Sequence, residues 1–163
     1  MAQRSTEYPL VKCFGRFPDN LRQQFVELVS AKEPVLSAIR NAKDVQSRDV
    51  ASILKDGLAK LGFEFYVLAR ATEGKSYQFD ALNRTRGVAV EVEKGRVILG
   101  NQIYLDLFKF HVIPEVKHAV VILPSVSREE TEQPFEDACG IAEVVFSSRE
   151  RRLGFESLLL IGY

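Results

Sequence analysis

The stretch "VAVEVEKGR", residues 88–96, alternates in steps of two. In an extended chain successive side chains point to opposite sides, so Val88, Val90 and Val92 share one face and Glu91 and Glu93 the other. Two carboxylates on one face repel each other, and nothing in strand formation requires them. Two readings are open. Either that face is solvated and the acids are ordinary outward positions of a half-buried strand, or they are held together for a purpose.

The preceding segment sharpens the choice. "YQFDAL" (77–82) reads as a second strand, joined to the first by the polar loop "NRTRG". If the two form an antiparallel hairpin, Asp80 falls close to opposite Glu91. Asp80 also interrupts an otherwise apolar strand, between Phe79 and Ala81. Asp80, Glu91 and Glu93 then converge on one patch at one end of a sheet. Three anions in such proximity are costly unless a cation sits among them. Oxygen-only ligands suit Mg²⁺, with Mn²⁺ as a substitute.

Outward from the hairpin, the periodicity predicts the remaining elements. "PDNLRQQFVELVSA" has a helical stripe of Leu21, Phe25, Leu28 and Val29, with Asp19 as a plausible N-cap. Pro34 is expected to end or kink that helix, leaving "VLSAIRNA" as a second short one. "SRDVASILKDGLAKLG" is the clearest helix, with Ser47 as its cap, Val50, Ile53, Leu54, Leu58 and Leu61 as its stripe, and Gly62 where a C′ glycine sits. "FEFYVLA" (63–69) reads as a strand closed by the turn "TEGKS". Residues 103–112 form a helix stopped by Pro114. Residues 116–124 are a continuous apolar run, as in a strand buried on both faces. A helix around "FEDACGIAEVV" and a last strand in "ESLLLIGY" complete the chain. The order predicts an α/β fold, a mixed central β-sheet with an antiparallel hairpin, flanked by helices, as one domain over 1–163.

Composition limits the function classes. The 163 residues are 46% hydrophobic and carry 22 basic and 22 acidic side chains. Zero net charge argues against a protein that coats nucleic acid by charge alone, but not against a DNA enzyme with a local basic face. Basic clusters occur at Arg84 and Arg86, at Lys94 and Arg96, and at Arg149, Arg151 and Arg152; each alone reads as solvated surface. Cys13 and Cys139 form neither a disulfide framework nor a zinc spacing. No apolar run approaches the length of a membrane span, and the amino-terminal residues have no signal-type apolar core, so a cytoplasmic location is expected. His111 and His118 read as structural or surface groups.

"FDALNRTRGVAVEVEKGRVILGNQIYLDLFKFHVI" resembles the metal site of the PD-(D/E)XK nuclease superfamily, and more specifically the type II restriction endonucleases of the BglII/BamHI type. The similarity covers roughly residues 60 to 163. It implies a restriction-endonuclease-like fold and a Mg²⁺-dependent endodeoxyribonuclease that hydrolyses double-stranded DNA, acting as a homodimer. Asp80 and Glu91 would hold the metal. Glu93 would stand where most of the superfamily has lysine, acting as base or as a second metal ligand. Lys75, Arg84 and Arg86 would be the nearest phosphate contacts. Lys94, one residue out of phase, should point with the valines or toward the strand end. Asn101 is expected in loop hydrogen bonding and Asp106 on a helix surface. The alternative is the same fold without catalysis, used to bind DNA or protein; a further one is an interaction domain whose hairpin acids are simply exposed.

Overall fold

The computed structural model describes residues 9–40, 42, 44–94, 101–126, 131–148 and 153–163. Arg96 and the cluster Arg149, Arg151 and Arg152 lie outside the described residues, as do the amino-terminal residues 1–8. Among the described residues ten elements follow in order: β1 (Leu10–Gly15), α1 (Asp19–Arg40), α2 (Ser47–Lys60), β2 (Glu64–Arg70), β3 (Ser76–Asn83), β4 (Val88–Val92), α3 (Gln102–Val112), β5 (His118–Leu123), α4 (Pro134–Ser147) and β6 (Ser157–Gly162). The strands make one six-stranded mixed sheet in the order β1-β6-β5-β4-β3-β2. β2, β3 and β4 form an antiparallel meander. β4, β5 and β6 run parallel, and β1 closes the far edge antiparallel to β6. The expected α/β class and the hairpin are present.

Each face of the sheet buries its own apolar cluster. On one, Leu21, Phe25, Val29 and Leu36 of α1 and Val50, Leu54 and Leu58 of α2 pack on Val88, Val90, Val92, Val120, Ile122, Leu159 and Ile161. On the other, Ile103, Leu107 and Phe110 of α3 and Ala138 and Ala142 of α4 pack on Phe79, Ala89, Ala119, Val121, Leu158 and Leu160. The valines of "VAVEV" thus share a face, as their alternation requires. β5 and β6, covered on both sides, are apolar without interruption.

Phe110 ties the second layer together. It is fully buried, stacks parallel on Phe79 at 5.7 Å between centroids, and meets Phe155 edge-on at 5.9 Å. Phe110→Ala is expected to lower stability by roughly 3–5 kcal/mol, the usual cost of such a cavity, read from urea unfolding at constant m.

Three expectations need correction. No strand is foreseen before Asp19, yet Leu10–Gly15 pairs along β6. Pro34 neither ends nor divides the first helix: α1 runs through it to Arg40. Proline in a helix interior costs about 3 kcal/mol, but Val29 before it and Leu36 after it are both fully buried on the same stripe, and breaking the helix would expose one of them. The cap of α2 is Gln46 rather than Ser47; the backbone N–H of Gln46 donates to Asp49 Oδ2 at 2.7 Å. Gly62 does take the left-handed conformation after α2, with φ +84°. Among the described residues no helix is long and apolar enough to cross a membrane.

Candidate active site

The acids of the opening motif lie where β3 and β4 part. Cα partners run Asn83↔Val88, Leu82↔Ala89 and Ala81↔Val90, and then stop. Continued by one step, the register would set Asp80 opposite Glu91, as the loop length predicts. Instead of a further backbone bond, the Asp80 side chain takes over: Oδ2 accepts the N–H of Val92 at 2.8 Å. β4 meanwhile keeps its pairing with β5, through Val92↔Ile122 and then a 2.7 Å bond from the Glu93 N–H to the Ile122 carbonyl. The sheet therefore opens between β3 and β4 at the C-terminal end of a parallel strand, the usual place for ligands in such sheets.

A backbone irregularity produces the opening. β2 pairs with β3 on both sides of Tyr66 and Asp80 but not at that pair, and Tyr66 has φ +53°. Left-handed backbone is unfavourable for a bulky residue. Phe65 and Ala81 pack in the α1/α2 layer, whereas Val67 and Phe79, of the same parity, pack in the α3/α4 layer. Both strands thus change face at Tyr66 and Asp80. Arg48, at the start of α2, stacks over the Tyr66 ring at 5.7 Å.

Glu91 is nearly fully buried, on the face covered by α3. There it meets Lys109, whose Nζ donates to Glu91 Oε1 and also lies 3.2 Å from Asp106 Oδ1. Gln102 Nε2 donates to the same Oδ1 at 2.9 Å. The helix-surface expectation for Asp106 is overturned: its side chain is wholly buried, and its carboxyl also meets that of Glu93. Gln102, Asp106 and Lys109, spaced four and three apart, form a polar stripe that α3 turns inward. Its apolar Tyr104, Leu105 and Phe108 are about half exposed.

Among the described residues, four carboxyl groups and the Lys109 ammonium thus share this end of the sheet, and burial is the largest influence on each. Asp80 is raised by burial, against the Val92 hydrogen bond. Glu91 is raised well above the ordinary range by burial and then by the charge of Asp106. Glu93 is pushed up to about 9 by burial, then by Asp106. Asp106 is itself raised by burial. Burial works against the charge on Lys109, but Glu91 and Asp106 outweigh it and the net shift is upward.

The basic candidates are scattered. Lys75 lies in the turn before β3, exposed, at the same end of the sheet as Glu93 because β3 runs antiparallel to β4. Arg84 and Arg86 occupy the β3–β4 loop, at the opposite end of β4, about 16 Å along a strand of five residues. Arg84 is paired there with Glu115 and donates to the Leu68 carbonyl. Lys94 goes to the valine side, as its phase requires, and its Nζ donates to the carbonyls of Ala42 and Val45 between α1 and α2. Asn101, in left-handed conformation, precedes α3. His111 Nδ1 accepts the Gly154 N–H and His118 Nδ1 meets Ser157 Oγ, both at 2.8 Å and both structural contacts.

Sequence reasoning assigned no role in the site to Lys109 and placed Asp106 on the surface. The inverted pattern of α3 was the available signal: Gln102, Asp106 and Lys109 at helical spacing within a mostly apolar helix that follows the acidic strand.

An antiparallel meander, a crossover helix and a parallel strand, with buried acids where the meander opens, define a restriction-endonuclease-like α/β protein. The model of the family described as "Putative halobacteria restriction endonuclease" matches residues 4–163, and the chain belongs to that family. Membership supports a nuclease-like function. No curated protein and no solved structure matches the chain.

Proposed function

We propose that this chain is a Mg²⁺-dependent endodeoxyribonuclease acting on double-stranded DNA, of the PD-(D/E)XK kind. The observation that carries this reading is the gathering of the buried acids Asp80, Glu91, Glu93 and Asp106 where β3 and β4 open, with Lys109 in contact with Glu91 and Asp106. The family supports the same class of chemistry. The finer likeness to the BglII/BamHI type rests on the form of the acidic strand and on Glu93 standing in the usual lysine position.

The donors fit a divalent ion in kind and in charge. All are carboxyl oxygens, and among the described residues they outnumber the cation in contact with them. Among the described residues, however, no three such groups are arranged around a common point that would hold a metal, and the ammonium of Lys109 is on Glu91 instead. Asp80 and Glu91 would be the ligands. A bound ion would neutralise charge on the phosphate and make water more acidic. Glu93, at the end of the strand, would orient the attacking water or take its proton. Lys75 and Arg48 stand at the site's end of the sheet and would hold flanking phosphates; Arg84 and Arg86, at the far end, would serve only a long duplex track. Cutting both strands calls for two sites, hence a homodimer with a two-fold axis.

Supercoiled plasmid is expected to be nicked or linearised with Mg²⁺ or Mn²⁺ and left intact in chelator, with Asp80→Asn slower by about 10²-fold. Cleavage that survives chelation, or an undiminished Asp80→Asn, would overturn the reading. The Lys109 ion pair also suits a relative that has given up cleavage; that alternative predicts duplex binding with no strand scission under any divalent ion.

A further inference from the structure

Lys109 is placed oddly for a surface helix residue. Its ammonium is mostly buried, lies 5.8 Å over the Phe79 ring, and contacts carboxylates of two different elements, Glu91 on β4 and Asp106 on its own helix. The partners differ in what holds them. Asp106 sits three residues away on the same helix and is fixed by Gln102. Glu91 belongs to the sheet and meets Lys109 only through side chains.

We propose that Lys109 is the resident counter-ion of this pocket, and that a divalent cation binds by taking Glu91 from it while Asp106 keeps the ammonium beside the site. The inference rests on the nuclease reading above. Its physical basis is charge economy. A buried carboxyl that ionises needs a cation beside it, and Lys109 is the cation in contact with Glu91. This also explains why the described acids are not arranged around a common point: Glu91 is turned to the lysine. A lysine is suited to such an exchange. It is a point charge on a flexible stem, with no fixed fork to hold it on one partner. Asp106 acts as a positioning residue: its Oδ1 already lies 3.2 Å from the ammonium and keeps it there when Glu91 is lost.

Calorimetric titration of Mn²⁺ and Mg²⁺ into the full chain tests this with three proteins. Wild type is expected to bind, and Glu91→Gln to lose binding. Lys109→Met, which removes the competitor and leaves Glu91 uncompensated, is expected to bind Mn²⁺ roughly tenfold tighter or more, while cleaving DNA more slowly at saturating metal. Wild-type protein supplies a second readout in case the variant does not fold. Reductive methylation of Lys109, followed by mass spectrometry of its peptide, is expected to be slow without metal and several-fold faster with Mg²⁺. Equal or weaker Mn²⁺ binding by folded Lys109→Met, or methylation unchanged by Mg²⁺ that calorimetry shows to be bound, would overturn the exchange and leave the metal site standing. No binding by either wild type or Lys109→Met would remove both the exchange and the metal-dependent nuclease.

Discussion

Glu91→Gln is expected to cleave duplex DNA at least about 10³-fold more slowly than wild type in saturating Mg²⁺, while still folding cooperatively. The substitution keeps size and shape at a position that is 4% exposed, so the packing of Ala89 and Val121 beside it is undisturbed. What disappears is one negative charge, and it is the charge that touches Lys109 and is flanked by Asp80 and Asp106. Within a buried site a charged oxygen that holds a metal is worth several kcal/mol to the transition state. Gel assays of plasmid cleavage over a range of Mg²⁺ separate the effects: a rate restored by excess metal would mean that Glu91 serves affinity only. Cleavage at the wild-type rate under all conditions would take the carboxylate out of the chemistry altogether.

The second large effect concerns stability against pH. Glu93 titrates near 9 in the folded protein, Glu91 well above its ordinary 4.5, and Asp80 and Asp106 above 3.8. Between those two ranges the folded state holds protons that the unfolded chain has released. The slope of unfolding free energy with pH follows the protons bound unfolded minus those bound folded, and is therefore negative. Without divalent ions, stability is expected to fall as pH rises from about 5 toward 9, with Glu93 contributing up to about 1.4 kcal/mol per pH unit across that window and the other three adding to the fall above their ordinary values. Lys109 does not oppose this trend. Its value is raised above 10.5, so its contribution is present throughout that window and is lost only at higher pH. Mg²⁺ is expected to flatten the curve, stabilising most at alkaline pH, where the carboxylates are ionised. Urea midpoints at about pH 5, 7 and 8.5, with Mg²⁺ and with chelator, give the answer. A profile that does not fall with pH in chelator would mean that these acids ionise at no cost and need no cation.

Much of the hairpin was legible because strands have so short a period. One loop length set Asp80 against Glu91, and one alternation put three valines on a single face, the one covered by α1 and α2, and Lys94 with them. The apolar run at 119–123 declared itself as a central strand, and the one at 158–161 as a strand, by lacking any polar interruption. Other features depend on what a residue packs against. β1 is short, on the edge and half exposed, so it carries no alternation strong enough to read. Pro34 is a strong local signal overruled by burial on either side of it. Asp106 and Lys109 look like an ordinary surface pair three residues apart, and only the sheet beneath them makes them interior. Tyr66 gives no sign at all: left-handed backbone is normally announced by glycine or asparagine, and here it is imposed on a tyrosine.

That tyrosine also bears on what the molecule does in company. Among the described residues β2 is an edge strand of the sheet, and an open edge offers its backbone groups to any passing strand. A residue of reversed handedness halfway along interrupts the row, leaving Glu64 and Phe65 on one side and Val67 to Arg70 on the other. An incoming strand would find no more than a few consecutive groups in phase before the pattern broke. The same bend that parts β3 from β4 thus leaves β2 a poor template for fibrous growth.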